Sequence, residues 1–199
     1  MRVTRILVIL VTYITVLGFY SLYRNLTNEL EAQTFQATEE LMVETSHLFA
    51  SQLEMQLQAD DSLNIEPLAQ IFKKAKQHKF EAKIFNLNKT HIGSNFYVTN
   101  SQGIVLHDSA HPERVGADYS ELNDVYLALN DRYAVRSSRE DENNSSSSFL
   151  YVATAIKNTE GKVLGVLSLY KPQNDVRPFI DQRHRSILIS LAITLHDKK

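Results

Sequence analysis

Between Ile6 and Tyr23 the chain runs through ILVILVTYITVLGFYSLY without one charged residue, and no other segment limits so strongly what the rest can be. At about 1.5 Å per helical residue this run covers roughly 27 Å, close to the hydrocarbon thickness of roughly 30 Å. Lipid offers no partner for backbone amides, so a lone crossing segment must be a helix. Arg2 and Arg5 precede the run, while Phe19, Tyr20 and Tyr23 gather at its far end. Cations favour the cytoplasmic side and aromatic rings favour the headgroup zone, so the spacing predicts a cytoplasmic N-terminus with everything after Arg24 facing outward. A cleaved secretory signal also starts with positive charge and an apolar core, but it needs small residues before the cut, and Gly18 to Tyr23 are mostly bulky. An uncleaved signal anchor is the expectation.

The 199 residues leave room for one ordinary domain beyond that anchor, and 43% hydrophobic content is enough for a core. Lysine and arginine number 21 against 23 acidic residues, so no basic face marks nucleic acid as a partner. Cysteine is absent, which removes disulfides, thiolate metal sites and a cysteine nucleophile.

After the anchor, Asn25 to Leu57 contains no proline or glycine, and Leu30, Leu41, Met42, Leu48, Phe49 and Leu53 recur on a helical period. Two heptad-spaced lines, Leu41 with Leu48 and Met55, and Phe35 with Met42 and Phe49, provide an apolar flank. Core packing is the expected use of these residues, ahead of contact with a second copy. Pro67 opens a short helix with Leu68, Ile71, Phe72 and Ala75 at i, i+3, i+4 and i+7. Phe80 to Leu87 alternates like a strand, and Phe96 to Asn100 and Ile104 to Ser109 form a hairpin about Ser101, Gln102 and Gly103. The loop HPERVGAD leads to Ser120 as a helix N-cap, with Leu122, Val125, Tyr126 and Leu129 along one side of the helix. Tyr133 to Ser138 reads as a strand, REDENNSSSS as a flexible connector, and Phe149 to Ile156 and Val163 to Tyr170 as the strongest strands. The fold class is α+β, a long N-terminal helix with an antiparallel sheet of about five strands. From Val176 the chain reads as helix, apolar over Ile187 to Leu195, roughly 14 Å and too short to span alone. The expected layout is an anchor over 1–24, an extracytoplasmic domain over 25–185, and an incomplete second membrane segment with a polar tail over 186–199.

The stretches FYVTNSQGIVLHDSAHPERVGADYSELNDVYLAL, RYAVRSS and YVATAIKNTEGKVLGVLSLYKP resemble the sensor region of CreC-type two-component sensor histidine kinases. The element order resembles the PAS-like periplasmic sensor fold called PDC or single Cache. The resemblance runs from the anchor to about Ile189. It implies a periplasmic domain that reports a small ligand or a physical cue to a cytoplasmic autokinase and, through it, to a response regulator. The family continues through a second membrane helix into phosphoacceptor and ATP-binding domains, whereas this sequence stops in HDKK. The expectation is therefore a noncatalytic sensor region truncated before the kinase core, with no phosphoacceptor. Alternatives are the input domain of a chemoreceptor or cyclase, or a freestanding anchored ligand-binding protein.

Among the seven histidines, His107 and His111 flank Asp108 in the tightest cluster of potential ligands. Neighbouring strand residues point to opposite faces, so this cluster is not expected to hold a metal. His47 lies on the outer helix and reads as a solvated residue. No G-x-S-x-G, H-E-x-x-H or P-loop pattern occurs, and no cofactor or catalytic residue is expected. A ligand pocket is the functional reading. Arg136 is its first candidate, because a guanidinium in a strand offers paired donors to a carboxylate or phosphate; an exposed edge arginine is the alternative. Tyr151, His107 and Tyr119 are candidates for further donors or a stacking wall.

Overall fold

The computed structural model describes residues 2–58, 60–84, 87–139, 147–175, 182 and 185–189. Helix α1 (Arg2–Glu54) is followed by α2 (Glu66–Gln77), β1 (Ala82–Ile84), β2 (Leu87–Lys89), β3 (Asn95–Asn100), β4 (Val105–Asp108) and a 3-10 turn (Pro112–Arg114). Then come α3 (Asn123–Leu129), β5 (Ala134–Arg139), β6 (Ser148–Lys157), β7 (Val163–Pro172) and a last 3-10 turn (Gln173–Asp175). By contact density the chain divides into one unit of residues 1–37 with 179–199 and a second of residues 38–178.

In the first unit the apolar run is helical throughout and its large side chains are exposed, from Ile6 at 63% to Tyr20 at 59%. Thr12 and Thr15 return their hydroxyl protons to the Val8 and Val11 carbonyls, both at 2.8 Å, so neither polar side chain needs water. One helix among the described residues is long and apolar enough to cross a membrane, in keeping with a single-pass inner-membrane anchor.

The second unit is a sheet with a helical layer on each face. Strands run in the order β4-β3-β7-β6-β5, every pairing antiparallel. Strand alternation sends Phe96, Val98, Leu150, Val152, Leu167 and Leu169 to one face, where α1 and α2 cover them with Met42, Ala50, Leu53, Leu68 and Phe72. The opposite face carries Tyr97, Tyr151, Ala153, Val166 and Tyr170 under Val125 and Ala128 of α3. Two hairpin turns use one device: Asn100 Oδ1 accepts the Gln102 and Ile104 N–H groups, and Asn158 Oδ1 accepts those of Glu160 and Lys162.

Three details differ from the sequence reading. Phe80 to Leu87 does not join the main sheet as a strand; it belongs to a separate two-stranded ribbon, β1 with β2. Strand β1 has no buried face, since Lys83 and Ile84 stay exposed and Ala82 is only half-buried. Ser120 is not a helix cap, because the helix begins three residues later, at Asn123, with Leu122 in the cap position and no capping side chain. Of the two heptad lines, Met42 is buried and Phe49 partly so, whereas Leu41, Leu48 and Met55 are 64%, 71% and 88% exposed. The buried stripe of α1 is Met42, Ser46, Ala50 and Leu53, and it faces the sheet at helical spacing. The connector residues 140–146 and most of the tail beyond Asp175 lie outside the described residues, although 185–189 are helical.

Candidate functional site

The face beneath α3 concentrates polar chemistry that alternation in β3, β6 and β7 sets up. Tyr97 points away from Phe96 and Val98, and the cross-strand partners Tyr151 and Tyr170 stack with ring centres 5.2 Å apart. Tyr119 meets Tyr97 edge-on at 5.4 Å, and Phe149 lies 6.0 Å from Tyr170. The result is an aromatic wall of moderate interaction energy per pair, about 0.5–1.5 kcal/mol beyond burial.

Two buried carboxylates anchor this wall. Asp124, in the first turn of α3, accepts hydrogen bonds from Tyr97 Oη, from Ser168 Oγ at 2.9 Å, and from Arg136 Nε at 2.6 Å. Its side chain is fully buried and that of Arg136 is 16% exposed. Burial opposes the Arg136 charge, but the field and hydrogen bond of Asp124 outweigh it and hold the guanidinium above its ordinary pKa. The guanidinium carbon sits 3.8 Å from the centre of the Tyr151 ring, a cation–π contact. Burial, followed by the negative charge of Asp124, raises the Tyr97 phenol well above its usual value.

Asp108, at the end of β4, accepts from Tyr170 Oη at 2.6 Å and from the N–H groups of Ala110 and His111, all on Oδ1. Its Oδ2 is buried without a hydrogen-bond partner among the described residues and lies 3.8 Å from Arg114 Nη1. The loop that supplies Arg114 and Tyr119 folds back on the hairpin: Gly116 N–H bonds to Val105 O at 2.8 Å and Tyr119 N–H to Gly103 O at 2.9 Å. Gly103 has φ +83°, and a Cβ there would meet Ser120 Cα at 2.7 Å, so this close return requires glycine.

Of the residues singled out from sequence, Arg136, Tyr151 and Tyr119 come together on this face. His107 does not join them. It pairs opposite Val98, stacks on Phe96 at 5.2 Å on the other face, and burial lowers its pKa. His111 Nδ1 instead lies 2.9 Å from Glu113. Among the described residues, no group of three histidines, aspartates or glutamates is placed to hold a metal. Sequence reasoning passed over Asp124, Tyr97, Tyr170 and Arg114, and weighed Asp108 only as a metal ligand. Alternation in FYVTN carried a signal for Tyr97; the acidic residues looked like ordinary loop and helix-start residues. Ser168, the hydroxyl beside a carboxylate, is fully buried and donates its proton to Asp124.

No family model matches the chain. Over 167 residues it is 36% identical to the sensor protein CreC of Escherichia coli (strain K12), a match covering 84% of this chain and 35% of that protein. The chain therefore spans about a third of the length of that curated relative. Residues 38–178 form a sensor domain of the single-Cache, PAS-like class. The ligand-binding domain of the Campylobacter jejuni chemoreceptor Tlp3, solved with L-valine, shares the fold at 16% identity and a TM-score of 0.51, covering 81% of this chain and 64% of that one. The sensor domain of DcuS from E. coli aligns at 18% identity and a TM-score of 0.47 over 73% of this chain and 98% of that one. The domain is a membrane-linked extracytoplasmic sensor module similar to part of the sensor protein CreC, and it shares its fold with the Tlp3 ligand-binding domain.

Proposed function

We propose that the chain is the periplasmic input region of a two-component sensor histidine kinase, with an anchor over 1–24, the sensor over 25–185 and a membrane-directed end over 186–199. The observation that carries the reading is the charged aromatic face, where Arg136 lies over Tyr151 and Arg114 approaches the unsatisfied oxygen of Asp108. A small organic anion is the proposed ligand, met by Arg114 and by the terminal nitrogens of Arg136 beyond the Nε that Asp124 holds, with Tyr119 and Tyr151 as walls. Binding shifts output only through a difference in affinity between two arrangements of the domain. A second copy is the proposed neighbour of α1, because Leu41, Leu48 and Met55 form an exposed apolar line at heptad spacing. The response regulator is reached only through a kinase core.

The test is a chimera in which this chain replaces the matching region of E. coli CreC, with autophosphorylation read in membranes against a panel of carboxylates and phosphate. The reading expects at least one anion to change the signal, and Arg136→Lys to weaken that response. A chimera with normal basal phosphorylation that ignores every anion would overturn the ligand class. Orientation is checked on the cysteine-free chain with Tyr126→Cys, exposed by 53%. Labelling only after the inner membrane is opened would reject a periplasmic domain.

A further inference from the structure

A second concavity lies along the edge of the sheet, and Ala128 and Ala153 at the margin of the tyrosine face help to line it. Pairing of β5 with β6 stops at Ala134, opposite Ala153, so among the described residues β6 continues from Thr154 to Lys157 with no strand on that side. One part-buried main-chain donor there is taken by a side chain: Lys157 N–H donates to Glu54 Oε1 of α1 at 2.8 Å. The edge is the floor of a trench of about 450 Å³, with α1 from Val43 to Glu54 as one wall and Ala128 to Tyr133 as the other.

Three features define what would fit. Ala50, Ala128 and Ala155 project little, which lets an incoming backbone approach the β6 edge. Val43 to Glu54 spans roughly 16 Å of helix, the length of about five extended residues at about 3.3 Å each. The charged groups are unevenly committed: Asp131 pairs with Lys157 Nζ at 2.6 Å, and Tyr133 Oη donates to Glu39. Arg132 is exposed, and its guanidinium forms no ion pair with a described residue.

We propose that this trench is a separate binding site for a short extended peptide, which adds to the free edge of β6 and places a carboxylate on Arg132. Main-chain pairing supplies affinity in such a mode, and the guanidinium supplies preference for an acidic group or a free C-terminus. The site goes beyond the anion-binding face and does not depend on it.

The experiment uses the full chain in nanodiscs with methyl-labelled alanine, so that Ala50, Ala128, Ala153 and Ala155 report directly from the trench. Tetra-alanine with a free C-terminus is titrated beside its C-terminal amide. The proposal expects shifts at Ala50 and Ala155, affinity for the free acid about tenfold above that of the amide, and loss of that preference in Arg132→Ala. Absence of shifts at millimolar peptide, or a preference for the free acid that survives Arg132→Ala, would overturn it. Shifts confined to Ala134, on the tyrosine face, would overturn it equally.

Discussion

Replacing Arg136 by alanine tests the energetics of the buried face most directly. Asp124 is fully buried, and Arg136 is the cation that offsets it, with Nε 2.6 Å from Oδ1. After the substitution the carboxylate keeps only the neutral donors Tyr97 and Ser168. Removing one partner of a buried ion pair costs about 3–5 kcal/mol. Losing the guanidinium above Tyr151 adds about 0.5–2 kcal/mol. Against a usual domain stability of about 5–15 kcal/mol, Arg136→Ala is expected to bring the sensor close to unfolding. It therefore does more than trim donors from a pocket. Asp124→Asn combined with Arg136→Ala removes the stranded charge, and should be more stable than the sum of the single changes by about 1–3 kcal/mol. Urea unfolding of the purified chain in detergent, followed by near-ultraviolet circular dichroism of the tyrosines, measures all four proteins. A cost below about 1 kcal/mol for Arg136→Ala, or strictly additive single changes, would refute the argument that Arg136 neutralises Asp124.

Gly165→Ala should destabilise by about 1–3 kcal/mol or more, since its Cβ would stand 2.1 Å from the Thr99 carbonyl oxygen of β3; an unchanged urea midpoint would show that the two strands can separate there without cost. Ser46→Ala breaks the buried 2.6 Å hydrogen bond to Thr154 between α1 and β6, with an expected cost of about 1–3 kcal/mol. Adding Thr154→Val should recover part of that cost in the same unfolding assay, because no unsatisfied hydroxyl then remains. Partial burial, then the hydrogen bond to Glu39, pushes the Tyr133 phenol up to about 12 from an ordinary 10.0. Its contribution is thus complete below pH 10 and is lost as pH rises toward 12. In Tyr133→Phe the phenolate absorbance should lose one group that titrates near pH 12.

What the linear chain settled was whatever depends on local spacing. The uncharged run Ile6 to Tyr23 demands a helix in lipid by length and backbone satisfaction alone. Pro67 at the start of α2 and the Asn100 and Asn158 turns fix local geometry within a few residues. Period-2 alternation in the strong strands established a two-faced sheet, and Arg136, Tyr151 and Tyr119 were within reach of side-chain chemistry. Strand order and partner choice lay beyond local spacing. The β7 strand sits between β3 and β6 because its own residues are buried on both faces, which a run such as VLGVLSLY implies without naming its neighbours. Asp124 looks in sequence like a solvated acid near a helix start. Only docking of α3 on the sheet encloses it with Tyr97, Ser168 and Arg136 from three different strands. Likewise Leu41 and Met42 are equally apolar neighbours, and one is exposed while the other is buried because a single face of α1 meets the sheet. Burial is a property of pairs of surfaces, so the sequence could specify the apolar residues of each surface while tertiary contact alone selected which surfaces met.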